Sequence, residues 1–280
     1  MKGIVTDAEI KKFMKSVKLP FDDQESAMHY HDVHSGRYAV TLNSLFRVDF
    51  SEKPKVLELA ASPYGMTSYL CKIFGENLTL ASYSDNAISR DLTLMVGMES
   101  FTLQEFGFNV EHENWPIEPE SFDLVIACEV VEHLAMDPMA LFAGANRVLK
   151  PGGHLFVSTP NAASIQNFIK LARLMPAGIA QQFRRPFSLA RMYERHNREY
   201  TPFTLGEMCA ASGFSVELME TDSAFPLDSL GLEDEKIAQL LSIVEKPELR
   251  RDTINIACRK IGPVKNRYPC VHELYSAEDD

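Results

Sequence analysis

The feature that most constrains this chain is a rhythm between residues 55 and 158, where short apolar runs alternate with stretches of helical length. Lys55-Val56-Leu57-Glu58-Leu59 opens the series and Leu78-Thr79-Leu80-Ala81-Ser82-Tyr83 follows. Phe122-Asp123-Leu124-Val125-Ile126-Ala127-Cys128 and His154-Leu155-Phe156-Val157-Ser158 continue it. Runs this short and this apolar predict strands buried on both faces, and buried strands separated by helices predict a parallel sheet built from βαβ units. Between them Phe108-Asn109-Val110 is a weaker strand candidate, cut short by Glu111 and His112. Ser215–Met219 and Thr253–Cys258 are the expected closing strands.

Around this core the chain divides into three further parts. Residues 1–50 form an expected N-terminal helical segment covering the site, with a His- and Tyr-rich stretch, Met28 to Tyr38, leading into a helix. Residues 51–262 hold the main domain, interrupted at 161–200 by an insertion with a helix candidate over Asn167–Leu174 and a stop at Met175-Pro176-Ala177-Gly178. Residues 263–280 are a polar, acidic tail expected to trail over the surface. The insertion carries Arg184, Arg185, Arg191, Arg195 and Arg198 against Glu194 and Glu199, a basic island in a chain of net charge −11. Two readings of that island stand: solvated helix faces, or a lid that attracts an anionic acceptor. The overall charge weighs against a nucleic-acid partner, since phosphate neutralisation needs a basic surface. No apolar run reaches the ~18 residues of a membrane span, and no secretory signal pattern opens the chain. Five scattered cysteines without paired spacing suit free thiols in a reducing cytoplasm. Nothing in the sequence sets the oligomeric state.

In an open parallel sheet, ligands bind beyond the carboxyl ends of the strands where strand order reverses. The turn after the first strand therefore matters most. It reads Glu58-Leu59-Ala60-Ala61-Ser62-Pro63-Tyr64-Gly65, with small residues that let a ligand approach the backbone and a following helix whose free N–H groups can receive a carboxylate. This turn resembles the acid-x-Gly-x-Gly-x-Gly loop of class I S-adenosylmethionine (SAM)-dependent methyltransferases. Pro116 to Val125 resembles that family's entry to strand four, Glu129-Val130-Val131-Glu132-His133-Leu134 its Glu-His-Leu segment, and Arg147-Val148-Leu149-Lys150-Pro151-Gly152-Gly153 its turn before strand five. The four motifs stand in the family's order and cover about residues 54–160. The resemblance implies an α/β, Rossmann-like fold with a seven-stranded, mostly parallel sheet flanked by helices and a helical insertion as lid. It also implies SAM as cofactor. Glu58 would meet the methionine amino group, and Ala60, Ser62 and Gly65 would line the loop. Ala60 and Ser62 replace family glycines, which keeps smallness and gives up left-handed freedom. Ser82 stands where the family places a ribose-binding acid, with Asp85 as the nearby carboxylate. Glu111 would hold the adenine amino group with His112 beside it, and Cys128 ends strand four against the cofactor.

Glu129, Glu132 and His133, at i, i+3 and i+4, are expected to share one face of a starting helix that looks into the site. Two carboxylates and an imidazole suit Mg²⁺ or Mn²⁺, and His196 could supply a fourth ligand. The run and the later histidine resemble the metal site of small-RNA 3′-terminal 2′-O-methyltransferases, and the run also resembles that of ubiquinone-pathway O-methyltransferases. The alternatives are His133, His196 or Glu132 as metal-free catalytic groups, or structural roles. Ser158-Thr159-Pro160-Asn161 and Arg195-His196-Asn197-Arg198-Glu199-Tyr200-Thr201 are similar to segments of glycan-modifying methyltransferases, which implies a sugar, glycan or related small-molecule hydroxyl as acceptor. His31, His34, Arg37, Tyr38, Arg184 and Arg185 are the candidate acceptor contacts. An RNA terminal 2′-O-methyltransferase and a SAM-binding protein without transferase activity are the other readings.

Overall fold

The computed structural model describes residues 4–112, 114–178, 189–225 and 233–269. Its centre is β2 (Val56–Leu59), buried along its whole length, with β3 (Leu78–Ser82) on one side and β6 (Phe122–Cys128) on the other, both parallel to it. The order 3-2-6 means the chain steps left of β2 and then right of it, so a crevice opens at the carboxyl ends of β2 and β6. Beyond β6 lies β7 (Leu149–Pro160), parallel to it; β9 (Thr253–Lys260) and β8 (Phe214–Asp222) complete that side through antiparallel pairs.

On the other side the expectation of seven strands fails. Among the described residues the sheet has nine, in the order β1-β4-β5-β3-β2-β6-β7-β9-β8. The third parallel strand is β5 (Glu99–Gly107), which ends where the sequence reading began it; Phe108-Asn109-Val110 is loop. Where a βαβ unit would place a helix, the chain instead makes β4 (Ile88–Val96), an antiparallel hairpin partner of β5. Leu92, Leu94 and Val96 point inward with the exposed Thr93 and Met95 between them, the period of two that a half-buried strand requires. Gly97 has φ +64 at the first position of the two-residue turn, the backbone a tight hairpin favours. A two-residue β1 (Val17–Lys18) pairs with the end of β4.

Helices cover both faces. α3 (Gly65–Phe74) follows β2 and ends at Gly75, φ +55. α4 (Pro138–Val148) starts with Asp137 as N-cap and proline in its first turn, and α6 (Pro202–Ala211) starts with a Thr201–Thr204 box. α1 (Asp7–Met14) and α2 (Gln24–Leu45) pack on the α3 face, where Ile10, Met14, Leu42, Leu45, Leu70 and Phe74 join one core. The His- and Tyr-rich stretch is itself part of α2: Asp23 caps it through Ser26 N, and the buried stripe His31, Ser35, Tyr38, Leu42, Leu45 repeats at helical spacing. A second core on the opposite face joins Leu57, Trp115, Phe142, Leu155 and Phe214. α7 (Asp234–Ile243) lies between β8 and β9. No described helix is long and apolar enough to cross a membrane.

The insertion begins with α5 (Ile165–Ala172), capped by Ser164, and returns through a short 3-10 stretch, Leu189–Glu194. Its neck is zipped by a bridge between Asn161 and Tyr200 and by Ala162 N–H donating to Tyr200 O at 2.9 Å. Arg184 and Arg185 lie outside the described residues. The start of the tail does not trail freely. Lys265 and Asn266 N–H donate to Ala211 O, Arg267 pairs with Asp137, and Pro269 is buried.

Candidate functional site

The turn after β2 keeps the glycine shape without the glycines. Ala60 has φ +53 and Tyr64 φ +65, so the left-handed conformations expected to be lost are adopted by an alanine and a tyrosine. Each costs about 1–2 kcal/mol relative to a right-handed residue, which the fold tolerates to keep the loop open at the sheet edge. Gly65 begins α3, and a Cβ there would meet His31 Nδ1 at 2.2 Å and Tyr38 Oη at 2.9 Å. The missing side chain therefore serves the packing of α2 on the loop.

Between α2 and this loop lies a cavity of about 90 Å³, lined by Arg37, Tyr38, Glu58, Ala60, Ser62, Gly65 and Cys128, with Tyr30, Thr41, Glu129 and Ser158 completing its wall. Glu58 is fully buried with Oε2 unpartnered, and burial pushes its carboxyl up to about 8. Across the cavity Arg37 is largely covered; its Nη1 donates to Glu129 Oε2 at 2.9 Å while its Nε has no partner. Burial likewise pushes the Tyr38 hydroxyl well above its ordinary range, and Tyr38 Oη lies 2.8 Å from His31 Nδ1. His34 packs against Tyr30 and Phe225, with burial and the Arg37 charge holding it near 4.

Glu129 does not lie on a helix face with Glu132 and His133. Its φ is +57, the following Val131–His133 is a single 3-10 turn, and α4 begins only at Pro138. The left-handed residue turns the Glu129 carboxylate away, toward Arg37 and toward Ser158 Oγ, which donates to Oε1 at 3.2 Å. What does assemble is Glu132, His133 and His196, whose ligand atoms all lie within 4.8 Å of one another. Glu132 is buried; Thr159 Oγ1 donates to its Oε2 at 2.9 Å and its Oε1 has no partner. Burial and the Glu129 charge hold the Glu132 carboxyl well above the usual carboxylate range. His133 Nδ1 lies 3.0 Å from Arg195 O, so it carries the proton and leaves Nε2, 3.9 Å from Glu132 Oε1, with its lone pair. His196 Nδ1 lies 3.3 Å from Glu199 Oε1. Burial, and then the neighbouring His196, push His133 down to about 4. Asn197 fastens the insertion to this turn: its N–H donates to Glu132 O at 2.7 Å and its Nδ2 to His133 O at 2.7 Å.

A second cavity of about 310 Å³ shares Arg37 and Glu129 with the first and extends under the insertion past Asn161, Asn167, Lys170 and Glu199 to Phe225 and Asp252. Arg37 and Glu129 are thus the wall between the two spaces.

Four expected cofactor contacts have hydrogen-bond partners within the chain. Glu111 accepts backbone N–H groups from Ala135, Met136 and Asp137 at 3.2, 2.7 and 2.6 Å, so its carboxylate organises the loop before α4. The His112 N–H is taken by Asn109 O. Asp85 accepts from the Tyr83 hydroxyl, and Ser82 donates to Glu105 Oε1 at 2.5 Å. Sequence reasoning did not weigh Glu105, Thr159 as a partner of Glu132, or Tyr193, whose hydroxyl accepts from Asn109 Nδ2 at 3.0 Å. Thr159 and Glu199 were present in the quoted segments, and only the fold gives them partners.

An open sheet with a left-handed turn at the switch point, a buried carboxyl below it and a cavity beside it defines a class of α/β proteins that hold a small molecule at the strand ends. The chain belongs to the methyltransferase-domain family, whose model matches residues 34–218. Curated relatives include the ubiquinone biosynthesis O-methyltransferase of Aliivibrio fischeri, 29% identical over 107 residues, which is 35% of this chain and 45% of that one. That of Xanthomonas campestris pv. campestris is 38% identical over 81 residues, 26% of this chain and 34% of that one. The chain thus spans less than half the length of these relatives. Among solved structures, a methyltransferase in complex with the Haloferax volcanii Trm112 methyltransferase activator aligns with TM-score 0.53 at 12% identity, covering 91% of this chain and 98% of that one. A SAM-dependent methyltransferase of Archaeoglobus fulgidus aligns with TM-score 0.52 at 15% identity, covering 85% and 100%. At these identities the likeness is one of fold.

Proposed function

We propose that this protein transfers the SAM methyl group to a hydroxyl of a sugar, glycan or related small-molecule acceptor. The observation that carries the reading is the shared wall: one largely covered ion pair, Arg37–Glu129, borders both the cavity at the β2 turn and the larger cavity under the insertion. The first cavity fits an α-amino acid. Glu58 offers an unpartnered carboxyl oxygen to an ammonium, and Arg37 offers an unpartnered Nε to a carboxylate. At about 90 Å³ it is well short of the ~300 Å³ or more of small-molecule sites. A ligand of SAM's size therefore extends beyond this cavity, which takes its amino-acid end, and α2 of the N-terminal segment covers that end. The second cavity, lined by amides, carboxylates and Lys170, suits a polyhydroxylated or anionic acceptor. The names of the ubiquinone-pathway relatives favour oxygen as the methylated atom.

Transfer makes an acceptor O–CH₃ bond, breaks the C–S⁺ bond, leaves the electron pair on sulfur and releases the acceptor proton. In this reading His133, whose Nδ1 is engaged by Arg195 O, would take that proton on Nε2, a role worth typically ~10²–10⁴-fold. Glu132, His133 and His196 also fit a divalent cation such as Mg²⁺ or Mn²⁺. An orphaned buried carboxyl oxygen faces two imidazoles whose other nitrogens are oriented by Arg195 O and Glu199, as metal-binding histidines are. A cation held there would supply Lewis acidity that lowers the hydroxyl pKa. Glu129 would stand outside this ligand set, holding Arg37.

The test is turnover of SAM to S-adenosylhomocysteine (SAH) with a panel of sugars and other small hydroxyl acceptors, with and without EDTA. Turnover that EDTA removes and Mg²⁺ or Mn²⁺ restores supports the metal-assisted form. Turnover untouched by EDTA and lost in His133→Ala leaves base catalysis. SAH binding without turnover on any hydroxyl acceptor refutes the transferase reading.

A further inference from the structure

We propose that Glu105 is a positioning residue for the ribose hydroxyls of the cofactor, acting through Ser82; this rests on the SAM reading above. The amino-acid end of SAM is matched by Glu58 and Arg37 at the end of β2, so its nucleoside must extend along the carboxyl edge of the neighbouring strands. In dinucleotide-binding relatives of this architecture a carboxylate after the second strand of the unit takes a ribose hydroxyl. Here that strand, β3, ends in Ser82, which has no charge to offer.

The β4–β5 hairpin brings the charge from next door. Glu105 lies on β5 in register with Leu80 of β3 on one side and Arg90 of β4 on the other. Its Oε1 accepts from Ser82 Oγ at 2.5 Å and from Tyr64 Oη at 2.7 Å, and its Oε2 accepts from Arg90 Nε at 2.6 Å. The carboxylate is 2% exposed and sits on the same face as Leu92, Leu94 and Leu103. A charge in that company is costly to bury, and a leucine would satisfy the core. Three donors from three separate elements instead converge on it at the edge where the nucleoside must pass.

Hydrogen-bond accounting gives the cluster a direction. A serine has one proton, and Ser82 gives its proton to Glu105. Its Oγ therefore faces any ligand as an acceptor only, and bonding to a carboxylate strengthens it in that role. Ribose hydroxyls can donate to such an oxygen. Arg90, 55% exposed at its side chain, retains N–H groups that can donate to the ribose oxygens. The arrangement reads a vicinal diol, with Glu105 setting the orientation of both Ser82 and Arg90.

The experiment is calorimetric titration of the full chain with SAH and with an SAH analogue lacking both ribose hydroxyls. Wild type should prefer SAH. Glu105→Gln should weaken SAH about tenfold, as expected for one hydrogen bond to a charged group, and leave the analogue unchanged. Ser82→Ala, which removes one hydroxyl and no buried charge, should erase the same preference and carries the test if Glu105→Gln fails to fold. Folded variants that keep the wild-type preference, or that weaken both ligands equally, would overturn the assignment while leaving SAM binding intact. A wild-type protein that binds no SAH would overturn the cofactor reading and this inference together.

Discussion

Gly65→Ala should destabilise this protein even though alanine is the better helix former. Gly65 is the first residue of α3, where alanine gains up to about 1 kcal/mol over glycine. Against that, the added methyl would sit 2.2 Å from His31 Nδ1 and 2.4 Å from His31 Cε1, where carbon contacts prefer about 3.5–4.0 Å. His31 is fully buried and within 2.8 Å of Tyr38 Oη, so its ring cannot swing aside without breaking that bond. Overpacking of this kind costs about 1–3 kcal/mol, and the lost hydrogen bond about 1 kcal/mol more. The net expectation is a loss of about 1–3 kcal/mol, read as a lower urea midpoint with unchanged slope. Removing the tightest contact should shrink the cost: in a His31→Ala background, Gly65→Ala leaves only the Tyr38 hydroxyl at 2.9 Å to give way and should cost less by about 1 kcal/mol or more. If Gly65→Ala costs the same in both backgrounds, the contact with α2 is not the cause and the reasoning fails.

Three other outcomes follow from the same geometry. Arg37→Ala leaves the Glu129 carboxylate, 13% exposed, without its cation, so urea unfolding should show a loss of about 1–3 kcal/mol, and a loss near zero would mean the pair is open to water. Because burial raises Glu58 to about 8 in the folded, ligand-free protein, its contribution to stability is present below the unfolded value near 4.3 and is lost as pH rises toward 8. Glu58→Gln should flatten that part of the pH–stability curve; a curve identical to wild type would refute the shift. Mn²⁺ titration monitored by calorimetry should lose its binding heat in Glu132→Gln and keep it in Glu129→Gln, and the opposite pattern would restore Glu129 as a ligand.

The interior of the sheet was legible because burial on both faces writes itself as unbroken apolar runs. Val56–Leu59 and Phe122–Cys128 can be little else. The β4–β5 hairpin was harder for a physical reason: its outer face meets water, so its signal is alternation rather than a run. Leu92, Leu94 and Val96, followed by Gly97, carried that signal, and an expectation of helix between parallel strands outweighed it. The stripe from His31 to Leu45 was similarly hidden, because half of the buried positions of α2 are polar and hydropathy alone does not mark them.

At the site, residue types were legible and partners were not, and Glu129 shows why. Spacing predicts a shared face only if the backbone is helical, and a single left-handed residue cancels the prediction by turning its side chain to the other side of the chain. Glu129 then finds Arg37, 92 positions earlier, and that pairing shapes two cavities at once. The same holds at Ala60 and Tyr64, where φ is positive without a glycine to announce it. Left-handed conformations at non-glycine residues are uncommon, and they persist where surrounding structure over-determines them. Here three of them, Ala60, Tyr64 and Glu129, fall on the two turns that follow β2 and β6, at the crevice where strand order reverses. Strain gathered at that crevice is what a binding site requires: a loop that must stay open to a ligand and an acid that must face a largely covered arginine cannot both relax into the helices that follow them.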